Sequence, residues 1–364
     1  MQEPTLSFEQ KSVGQLVEAE LYNNADHPFV CIDGLLFWFN GRFYEPRTDA
    51  QEEKRIADFL NEQQVLDPKT NRLKYPYANR RSVKESLCWV KSRCSVKQDI
   101  MNPPGINCTN GILRLRFEGS DVIWELIPHS PNIIYTYEPL IEYNPNAPTE
   151  ECDRMLAVLD PSQRDIFLKI AAAAIDLEAV RRRVGRQIRI GLMYGGGSNG
   201  KDALRQGLFY LFGNVGVTSI GLNDFRAYDQ GKKFGVANLI NSRVNWASEN
   251  VRTVQIDNIQ SLKAFITGDP LICERKHCDP VEFVPHAIAF FNVNETPFLT
   301  GALKAVSSRY VIFTFNKVFS ENPDHDKGEL QADPRFKYDR EFICQQVLPA
   351  FLALPAQRWK RASR

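Results

Sequence analysis

The sequence lacks the features that mark membrane, secreted and disulfide-linked proteins. It has no apolar run of about 18 residues, so no membrane-spanning helix is expected. The opening segment, MQEPTLSFEQ, has no charged stretch followed by an apolar one and does not predict a secretion signal. None of the eight cysteines stands in a CxxC pair. We therefore expect reduced core cysteines in a cytoplasmic protein.

The sequence also lacks an excess of charge of either sign. Lys and Arg number 45, Asp and Glu number 44, and the formal net charge is +1. A protein that coats DNA over a broad surface is normally basic. Any nucleic-acid binding by this chain is therefore expected in a channel or on one patch, or not at all.

Two short clusters have a structural and a functional interpretation. Cys273, His277 and Cys278 are close in sequence, but a structural zinc site needs about four ligands and no nearby residue completes the set. We interpret them as structural and predict no metal there. The arginine run at residues 181–183 is interpreted as a solvated helix end, with phosphate contact as the alternative.

Internal repeats and low-complexity segments are missing, and the pattern divides the chain into four regions. Residues 1–148 predict a mixed α+β domain, with an aromatic hairpin that turns at Asn40 and Gly41, a helix over residues 52–64, and a turn at Asn110 and Gly111 that leads into a strand. Residues 149–186 predict a helical connector. Residues 187–318 predict an α/β core, and residues 319–364 predict a short helical tail.

Strand-like and helix-like segments alternate within the core region. The strands are IRIGLMY, RVNWAS, HAIAFFNV and RYVIFTF, and helical segments such as ALRQGLFYLF and IQSLKAFI lie between them. Strands separated by helices predict a largely parallel sheet that is covered on both faces. The expected fold class is therefore α/β.

A glycine-rich loop follows the first core strand. GGGSNGKD at residues 195–202 lies between that strand and a helix that ends near Gly213, which is the context that the GxxxxGK phosphate-binding pattern requires. Backbone amides and the amino end of the helix would bind phosphate oxygens, and Lys201 would neutralise the β- and γ-phosphates. We predict an ATP site formed by Gly195, Gly196, Gly197, Ser198, Asn199, Gly200, Lys201 and Asp202.

Asp202 departs from the phosphate-loop pattern. A Ser or Thr normally stands after the lysine, and its hydroxyl ligates Mg²⁺. A carboxylate is also a hard oxygen ligand, so Asp202 is a candidate ligand of Mg²⁺. The alternative is that its negative charge weakens nucleotide binding unless the metal offsets it.

Three polar residues at strand boundaries extend the pattern. Glu249 follows the strand that begins at Val244 and can order the metal and the attacking water. Asn294 ends the next strand, where an amide can sense the γ-phosphate. Arg309 begins the last strand, where an arginine can stabilise transition-state charge, often across a subunit boundary. In this order after a phosphate loop, the three predict an ATPase.

The segments GGGSNGKD, NWASEN and SSRYVIFTF, together with residues 263–297, resemble the superfamily 3 helicases. The resemblance is closest to their phage and plasmid primase-helicase branch, which is related to the poxvirus nucleoside-triphosphatase group. PPGINCTNGILRL and YNPNAPTEECDRML resemble the domain that precedes the ATPase in that branch. The resemblance covers about residues 32–315, and Ser308 stands where this branch often has a first arginine.

The resemblance implies an AAA+-type P-loop ATPase core, a homo-hexameric ring, and ATP-driven movement along single-stranded DNA, usually 3′ to 5′, in the bacterial or host cytosol. It implies that Lys201 and Glu249 belong to the two Walker motifs. It further implies that Asn294 is the sensor of the third motif and that Arg309 is the arginine finger.

The resemblance also implies where DNA binds. Lys263, Arg275, Lys276 and His277 match the motif that faces DNA in the ring channel, and residues 271–284 read as a hairpin that turns at residues 277–280. No primase or polymerase domain precedes the core in this sequence. A companion protein, or a longer parent chain, is therefore expected to supply priming.

Three functions remain open on the sequence. A replicative DNA helicase of a phage, plasmid or integrated element is favoured. Asp202 favours an ATP-dependent switch or loader that binds DNA without processive unwinding. A non-catalytic ring that only organises partners is the third. The rate of ATP hydrolysis with and without single-stranded DNA distinguishes them.

Overall fold

The structure is a computed structural model that describes residues 12–67, 69–119, 121–185, 188–247, 256–275, 278–294 and 308–362. The chain divides into two compact units. The first unit contains the described residues up to Pro103 together with His129–Glu138. The second unit contains Pro104–Pro128 and the residues from Pro139 onward.

The first unit combines an antiparallel sheet, a separate hairpin and helices. Its elements are α1 (Val13–Val17, continued by a π-helical turn, Glu18–Tyr22), β1 (Phe29–Ile32), β2 (Leu35–Phe39), β3 (Tyr44–Arg47), α2 (Asp49–Glu62), β4 (Val65–Asp67), β5 (Arg72–Lys74), α3 (Arg80–Arg93) and a 3₁₀ turn (Gln98–Ile100). Strands β1, β2 and β3 form one sheet, and β4 pairs only with β5 among the described strands.

Local sequence explains the early elements. The predicted aromatic hairpin is confirmed, because β2 and β3 pair antiparallel around Asn40 and Gly41. The predicted helix begins earlier than expected, at Asp49, because Thr48 caps it. The Thr48 side chain accepts a hydrogen bond from the Gln51 backbone N–H, and the Gln51 side chain accepts one from the Thr48 backbone N–H.

The second unit holds the elements of the predicted core and more. They are β6 (Ile106–Cys108), β7 (Gly111–Glu118), β8 (Asp121–Ile127), α4 (Glu150–Leu156), α5 (Pro161–Ala173), α6 (Leu177–Val184), β9 (Ile190–Tyr194), α7 (Lys201–Gly216), β10 (Val217–Thr218), α8 (Leu222–Asp229), a 3₁₀ helix (Lys233–Leu239), β11 (Val244–Ala247), a 3₁₀ turn (Ile256–Asn258), α9 (Gln260–Thr267), β12 (Leu271–Arg275), β13 (Cys278–Phe283), β14 (Ile288–Val293) and β15 (Tyr310–Thr314). After them come β16 (Phe319–Ser320), a 3₁₀ turn (His325–Lys327), β17 (Leu330–Gln331), α10 (Arg335–Tyr338), α11 (Arg340–Phe342), a π-helical turn (Ile343–Val347) and α12 (Leu348–Ala362).

A parallel sheet with strand order β10-β11-β14-β9-β15 organises the second unit. The predicted parallel α/β sheet is therefore confirmed. Because side chains alternate along a strand, β9, β11, β14 and β15 each contribute side chains to two cores, one on each face of the sheet. Trp246, Phe290 and Phe313 pack on one face against Phe167 of α5, with ring centroids 6.4, 5.3 and 5.9 Å from that ring.

The helices between the strands cover both faces of this sheet. Leu204 and Leu208 of α7 belong to the core that contains Phe167. Phe225 of α8 and Phe265 of α9 belong to the core on the other face. The chain therefore leaves β9 over one face to reach β10 at the edge, and it returns toward β9 over the other face, as right-handed crossovers require.

The division into units differs from the expected boundary after residue 148. Strands β6 to β8 and residues 139–148 belong to the second unit. Helices α4 to α6, expected to be a connector, and residues 342–354 of the expected tail share one hydrophobic core with β9 and α7. The difference arises because these segments carry apolar side chains that pack in the same core as the sheet and α7.

The arginine run at residues 181–183 binds protein groups. Arg181 is buried and donates to the carbonyl oxygens of Pro285 and Phe265, the latter at 3.0 Å, near the carboxyl end of α9. Arg182 pairs with Glu178 at 3.5 Å, and Arg183 donates to the carbonyl of Gly119 at 2.7 Å. The run lies in the last turn of a helix, as expected, but Arg181 is buried and not solvated as predicted, and all three side chains contact protein groups.

Cys31, Cys108, Cys152, Cys273 and Cys344 are reduced and buried, as predicted for core cysteines, whereas Cys88 is exposed and Cys94 is only partly buried. Burial raises the pKa of the Cys108 thiol to about 12, which keeps it protonated and unreactive. Burial also raises the pKa of Cys273. Within the described ranges no group of acidic, cysteine and histidine side chains is arranged to hold a metal, and no helix there is long and apolar enough to cross a membrane.

Candidate nucleotide site

The glycine-rich loop lies at the carboxyl edge of the parallel sheet. Strand β9 ends at Tyr194, residues 195–200 form the loop, and α7 begins at Lys201. Strand β9 has β14 on one side and β15 on the other. In open parallel sheets, ligands bind beyond the carboxyl ends of strands where neighbouring connections diverge. The fold therefore brings the predicted loop to the edge where a ligand is expected.

Glycine is required at one end of this loop and leaves space in its middle. Gly195 has φ 151°, and a Cβ atom there would lie 2.7 Å from Asn199 Nδ2 and 2.8 Å from the Phe315 oxygen. A Cβ atom on Gly196 or Gly197 would meet no heavy atom within 4 Å. The space beside the Cα atoms of Gly196 and Gly197 is therefore open, and phosphate oxygens can enter it.

Lys201 is held against its own loop. Its side chain is 7% exposed, and Nζ donates to the carbonyl oxygens of Gly195 at 2.5 Å and Gly196 at 3.2 Å. Burial lowers the pKa of Lys201, while the charge of Asp202 acts in the opposite direction. The ammonium group thus lies beside the open middle of the loop, where a phosphate would be neutralised.

Two further contacts fix the loop. Asn199 is buried, and its Nδ2 donates to the Gly196 oxygen at 2.8 Å. The backbone N–H of Phe319, beyond the last sheet strand, donates to the Ser198 oxygen at 2.8 Å. Ser198 has φ 54°, a left-handed conformation that is uncommon outside glycine. The loop conformation is therefore stabilised by one hydrogen bond within the loop and by a second one from the segment that follows the sheet.

An open cavity of about 1270 Å³ lies over the loop. Its walls come from the loop and the start of α7, from α4, from Asn292 and Asn294, and from the segment 319–338. The segment contributes Phe319, Phe336 and Tyr338. Residues 319–338 were expected to be part of a helical tail, but they form short strands, turns and one helical turn that line the cavity.

The Asp202 carboxylate lies close to a lysine of the segment 319–338. Its carboxylate Oδ2 lies 3.4 Å from Lys337 Nζ, and the two side chains are 65% and 51% exposed. The charge of Asp202 is the largest cause that raises the pKa of Lys337. The position expected to bind a metal is therefore also within reach of a lysine that is 135 residues away in sequence.

Both Asn292 and Asn294 line the cavity. The sequence pattern singled out Asn294 only. Asn292 lies two residues earlier on the same face of the strand, and its Oδ1 accepts a bond from Trp246 Nε1 at 2.9 Å. Strand alternation from Asn294 was the signal that could have found it.

Of the other two predicted catalytic residues, the structure describes Arg309 only. Glu249 lies outside the described residues; β11 ends at Ala247, opposite Phe291, at the same edge as the loop. Arg309 lies at the amino end of β15, where its oxygen accepts a bond from the Ile190 N–H at 2.9 Å. The structure thus places Arg309 at the far edge of the sheet from the loop of its own chain.

Two of the four predicted DNA-facing residues lie on consecutive elements of the structure. Lys263 is half-buried on α9, and Arg275 is half-buried at the end of β12. Lys276 and His277 lie outside the described residues. The predicted hairpin is confirmed by the antiparallel pairing of β12 with β13, but residues 278–280 belong to β13, so the turn does not extend to them as expected.

Family comparisons match two parts of the chain. Residues 19–160 match the family described as D5 N terminal like, and residues 193–309 match a family of unknown function (DUF5906). No curated protein matches this sequence.

Solved structures of the NrS-1 C-terminal region are similar to this chain in fold. The A form apo structure of that region has a TM-score of 0.52 at 13% identity and covers 94% of this chain and 68% of the other. A second A form apo structure has a TM-score of 0.50 at 13% identity over 97% and 76%. A third apo structure gives 0.50 and 13% over 98% and 76%.

Proposed function

We propose that this chain is an ATP-dependent DNA helicase of superfamily 3, which hydrolyses ATP to move along single-stranded DNA during replication of a phage, plasmid or integrated element. The observation that carries the proposal is the cavity where the loop 195–200, the amino end of α7, and Asn292 and Asn294 converge. The match of residues 19–160 to the D5 N terminal like family and the likeness in fold to the NrS-1 C-terminal region support it.

The residues of the cavity fit a nucleoside triphosphate. A volume of about 1270 Å³ exceeds that of most small-ligand sites, which reach about 1,000 Å³. Open space lies beside Gly196 and Gly197, where their amides would bind phosphate oxygens, and Lys201 supplies a fixed cation next to them. Phe319 and Phe336 supply aromatic surface at the other wall, where the base would lie.

Asp202 fits a role in holding Mg²⁺. It is an exposed carboxylate one residue beyond Lys201, and carboxylate oxygens suit this ion. Bound Mg²⁺ would supply charge neutralisation between the phosphates. Asn294 would orient the attacking water from β14, and Glu249 would act from the end of β11.

Arg309 supports action between subunits. The six residue steps from Arg309 to Phe315, beside Gly195, span about 20 Å of extended chain. No arginine side chain reaches that far, so a finger role for Arg309 requires a neighbouring copy. This agrees with the homo-hexamer that we propose.

DNA would be held where subunits converge. Lys263, Arg275, Lys276 and His277 supply a few cations per subunit, and a ring multiplies them around one strand. A chain with a formal charge of only +1 can then hold DNA in a channel. We propose that a separate primase or polymerase works with the ring.

ATP hydrolysis measured with and without single-stranded DNA tests the proposal. We expect DNA to stimulate hydrolysis and ATP to drive strand separation. Lys201→Ala is expected to abolish both, whereas Arg205→Ala, which removes a cation from the same helix, is expected to preserve them. If Lys201→Ala hydrolysed ATP at the wild-type rate, the assignment of the ATPase site to this loop would be wrong.

The Asp202–Lys337 pair favours a second candidate, an ATP-dependent switch or loader. A lysine 3.4 Å from the candidate metal ligand competes with the metal for the carboxylate. Slow metal loading would give slow turnover. Hydrolysis that DNA does not stimulate, together with ATP-dependent DNA binding and no unwinding, would support this candidate over the helicase.

A further inference from the structure

The first unit carries a concentrated basic segment that the proposed motor does not use. Residues 69–84 contain six Lys or Arg and no Asp or Glu, while the whole chain is nearly neutral at +1. They run from the tip of the β4–β5 hairpin into the first turns of α3. The six are Lys69, Arg72, Lys74, Arg80, Arg81 and Lys84.

Most of these cations remain available to a ligand. Lys74 pairs with Asp67, and Arg81 pairs with Glu85 at 2.7 Å. The other four, Lys69, Arg72, Arg80 and Lys84, are exposed, and none has an acidic partner within the part of the chain that the structure describes. Exposed cations without internal partners form an electrostatic surface for an anion.

The same hairpin exposes apolar side chains on one face. Leu66 is 55% exposed and lies opposite Leu73, which is 60% exposed. Tyr75 follows on the same face, 51% exposed, and its hydroxyl accepts a bond from Gln64 Nε2 at 2.9 Å. The ring is therefore held in place while its surface stays open to solvent.

We infer that this hairpin surface, defined by Lys69, Arg72, Leu73, Tyr75 and Arg80, binds single-stranded nucleic acid. Phosphates require cations, and unpaired bases stack on aromatic and apolar side chains. A duplex offers the cations the same phosphates but hides the base faces that Leu73 and Tyr75 would contact. A two-stranded ribbon is only about 5 Å across from strand to strand, so Arg72 can reach the phosphates of a strand whose bases lie on the opposite face.

The inference rests on charge and exposure in the first unit alone. It requires neither ATP hydrolysis nor the hairpin β12–β13. It is tested separately from the proposed motor because every variant is compared with one background, in which Lys276 and His277 are replaced and Lys263 and Arg275 contribute equally to each measurement. All affinities are accordingly measured in the full chain with Lys276→Ala and His277→Ala as the common background.

Base contact is tested at Tyr75. The probe is a fluorescent oligo(dT) strand and an abasic strand of the same length, with affinity measured by anisotropy without nucleotide. Tyr75→Ala should weaken binding of oligo(dT) about tenfold and leave the abasic strand unchanged. Tyr75→Phe keeps the ring, loses the bond to Gln64, and should bind like the parent. Equal loss for Tyr75→Ala and Tyr75→Phe would overturn the stacking role.

Phosphate contact is tested with Lys69→Gln/Arg72→Gln. Two lost contacts should reduce the slope of log affinity against log salt by about 1.4 for both strands, because each contributes about 0.7 on single strands. The matched control, Lys97→Gln/Lys169→Gln, removes the same charge from exposed positions elsewhere and should leave the slope unchanged. An equal change in the control would show a net-charge effect and overturn the site.

The hairpin residues are exposed, so these variants should keep the melting midpoint of the parent. Unchanged DNA affinity and salt slope in both hairpin variants would overturn the inference. If Tyr75→Ala instead abolished self-association in gel filtration without affecting DNA, the apolar face would belong to a second copy, which also overturns it.

Discussion

The carboxylate of Asp202 lies 3.4 Å from the ammonium group of Lys337, on the rim of the candidate nucleotide cavity. Both side chains are about half exposed or more, so the pair itself contributes little to stability, within about 1 kcal/mol. Its importance lies in position. One partner follows the phosphate-loop lysine, and the other stands on the wall built by the last part of the chain.

We predict that at low Mg²⁺, where no metal neutralises Asp202, Lys337→Gln weakens ATP binding several-fold while the melting midpoint changes little. The reason is that Asp202 then repels phosphate without an opposing cation. Asp202→Ser/Lys337→Gln should recover most of the affinity. Calorimetric titration of ATP at low and high Mg²⁺ measures this. Strictly additive effects of the two changes would show that the pair does not act on the nucleotide.

Asp202→Ser alone should stay active and need less Mg²⁺ for half-maximal turnover, because Lys337 no longer competes for the ligand. Asp202→Ala should need more Mg²⁺ than Asp202→Ser, since it has no oxygen to offer. The measurement is ATP hydrolysis across a Mg²⁺ titration. Identical Mg²⁺ curves for the two variants would exclude metal binding at this position.

The phosphate loop predicts two different results for adjacent glycines. Gly195→Ala should lower the free energy of unfolding by about 1–3 kcal/mol, because φ 151° strains a side chain that also meets Asn199 and Phe315. Gly196→Ala should unfold like the wild type but bind ATP more weakly, because its methyl group enters the open space. Denaturant unfolding and ATP titration separate the two. A Gly196→Ala protein with wild-type affinity would mean that phosphate lies elsewhere.

Lys201→Met should lose ATP binding without losing stability at neutral pH. Burial lowers the pKa of Lys201, so the charged amine costs folding free energy below that pKa, and the cost fades as the pH rises toward the ordinary value of 10.5. The wild type should therefore gain stability relative to Lys201→Met between neutral and alkaline pH. Melting midpoints of both proteins across this range provide the check, and a constant difference would contradict the burial effect.

Arg309→Ala should bind ATP but not hydrolyse it, and mixing with Lys201→Ala should restore part of the activity. Some interfaces would then join an intact loop to an intact arginine. Arg189 lies beside Arg309 at the same sheet edge, since Ile190 pairs with Tyr310, and Arg189→Ala is the matched control. No recovery despite verified subunit exchange would exclude action between subunits.

The local parts of the site were predictable because their signals are local. The glycine spacing, the apolar strand before it and the helix after it all lie within residues 188–213, and the parallel sheet follows from alternating strands and helices. The partners of Asp202 and Trp246 were not predictable. Lys337 is 135 residues from Asp202, and Asn292 is 46 residues from Trp246. No periodicity in the sequence records such contacts, because packing of the whole sheet decides them.

The boundary predicted after residue 148 differs from the observed division for the same reason. Pro139, Pro145 and Pro148 interrupt the chain just before the predicted boundary, but proline does not determine which core a segment joins. The buried side chains of Ile141 and Ala147 place that segment with the second unit. The predicted hairpin turn included Pro280, which lies in β13, because proline is tolerated in a two-stranded ribbon with free edges.

The wall formed by residues 319–338 has a consequence for the design of truncated fragments of this protein. The family match to the core ends at residue 309, so a fragment drawn from motifs alone would retain Lys201 and Asn294 and look complete. That fragment would lack the hydrogen bond from Phe319 to Ser198 and the Lys337 ammonium group beside Asp202. It would also lack the aromatic side chains that line one wall of the cavity. If such a fragment failed to hydrolyse ATP, the missing wall of the cavity would explain the loss, and the result would not show that the longer chain is inactive.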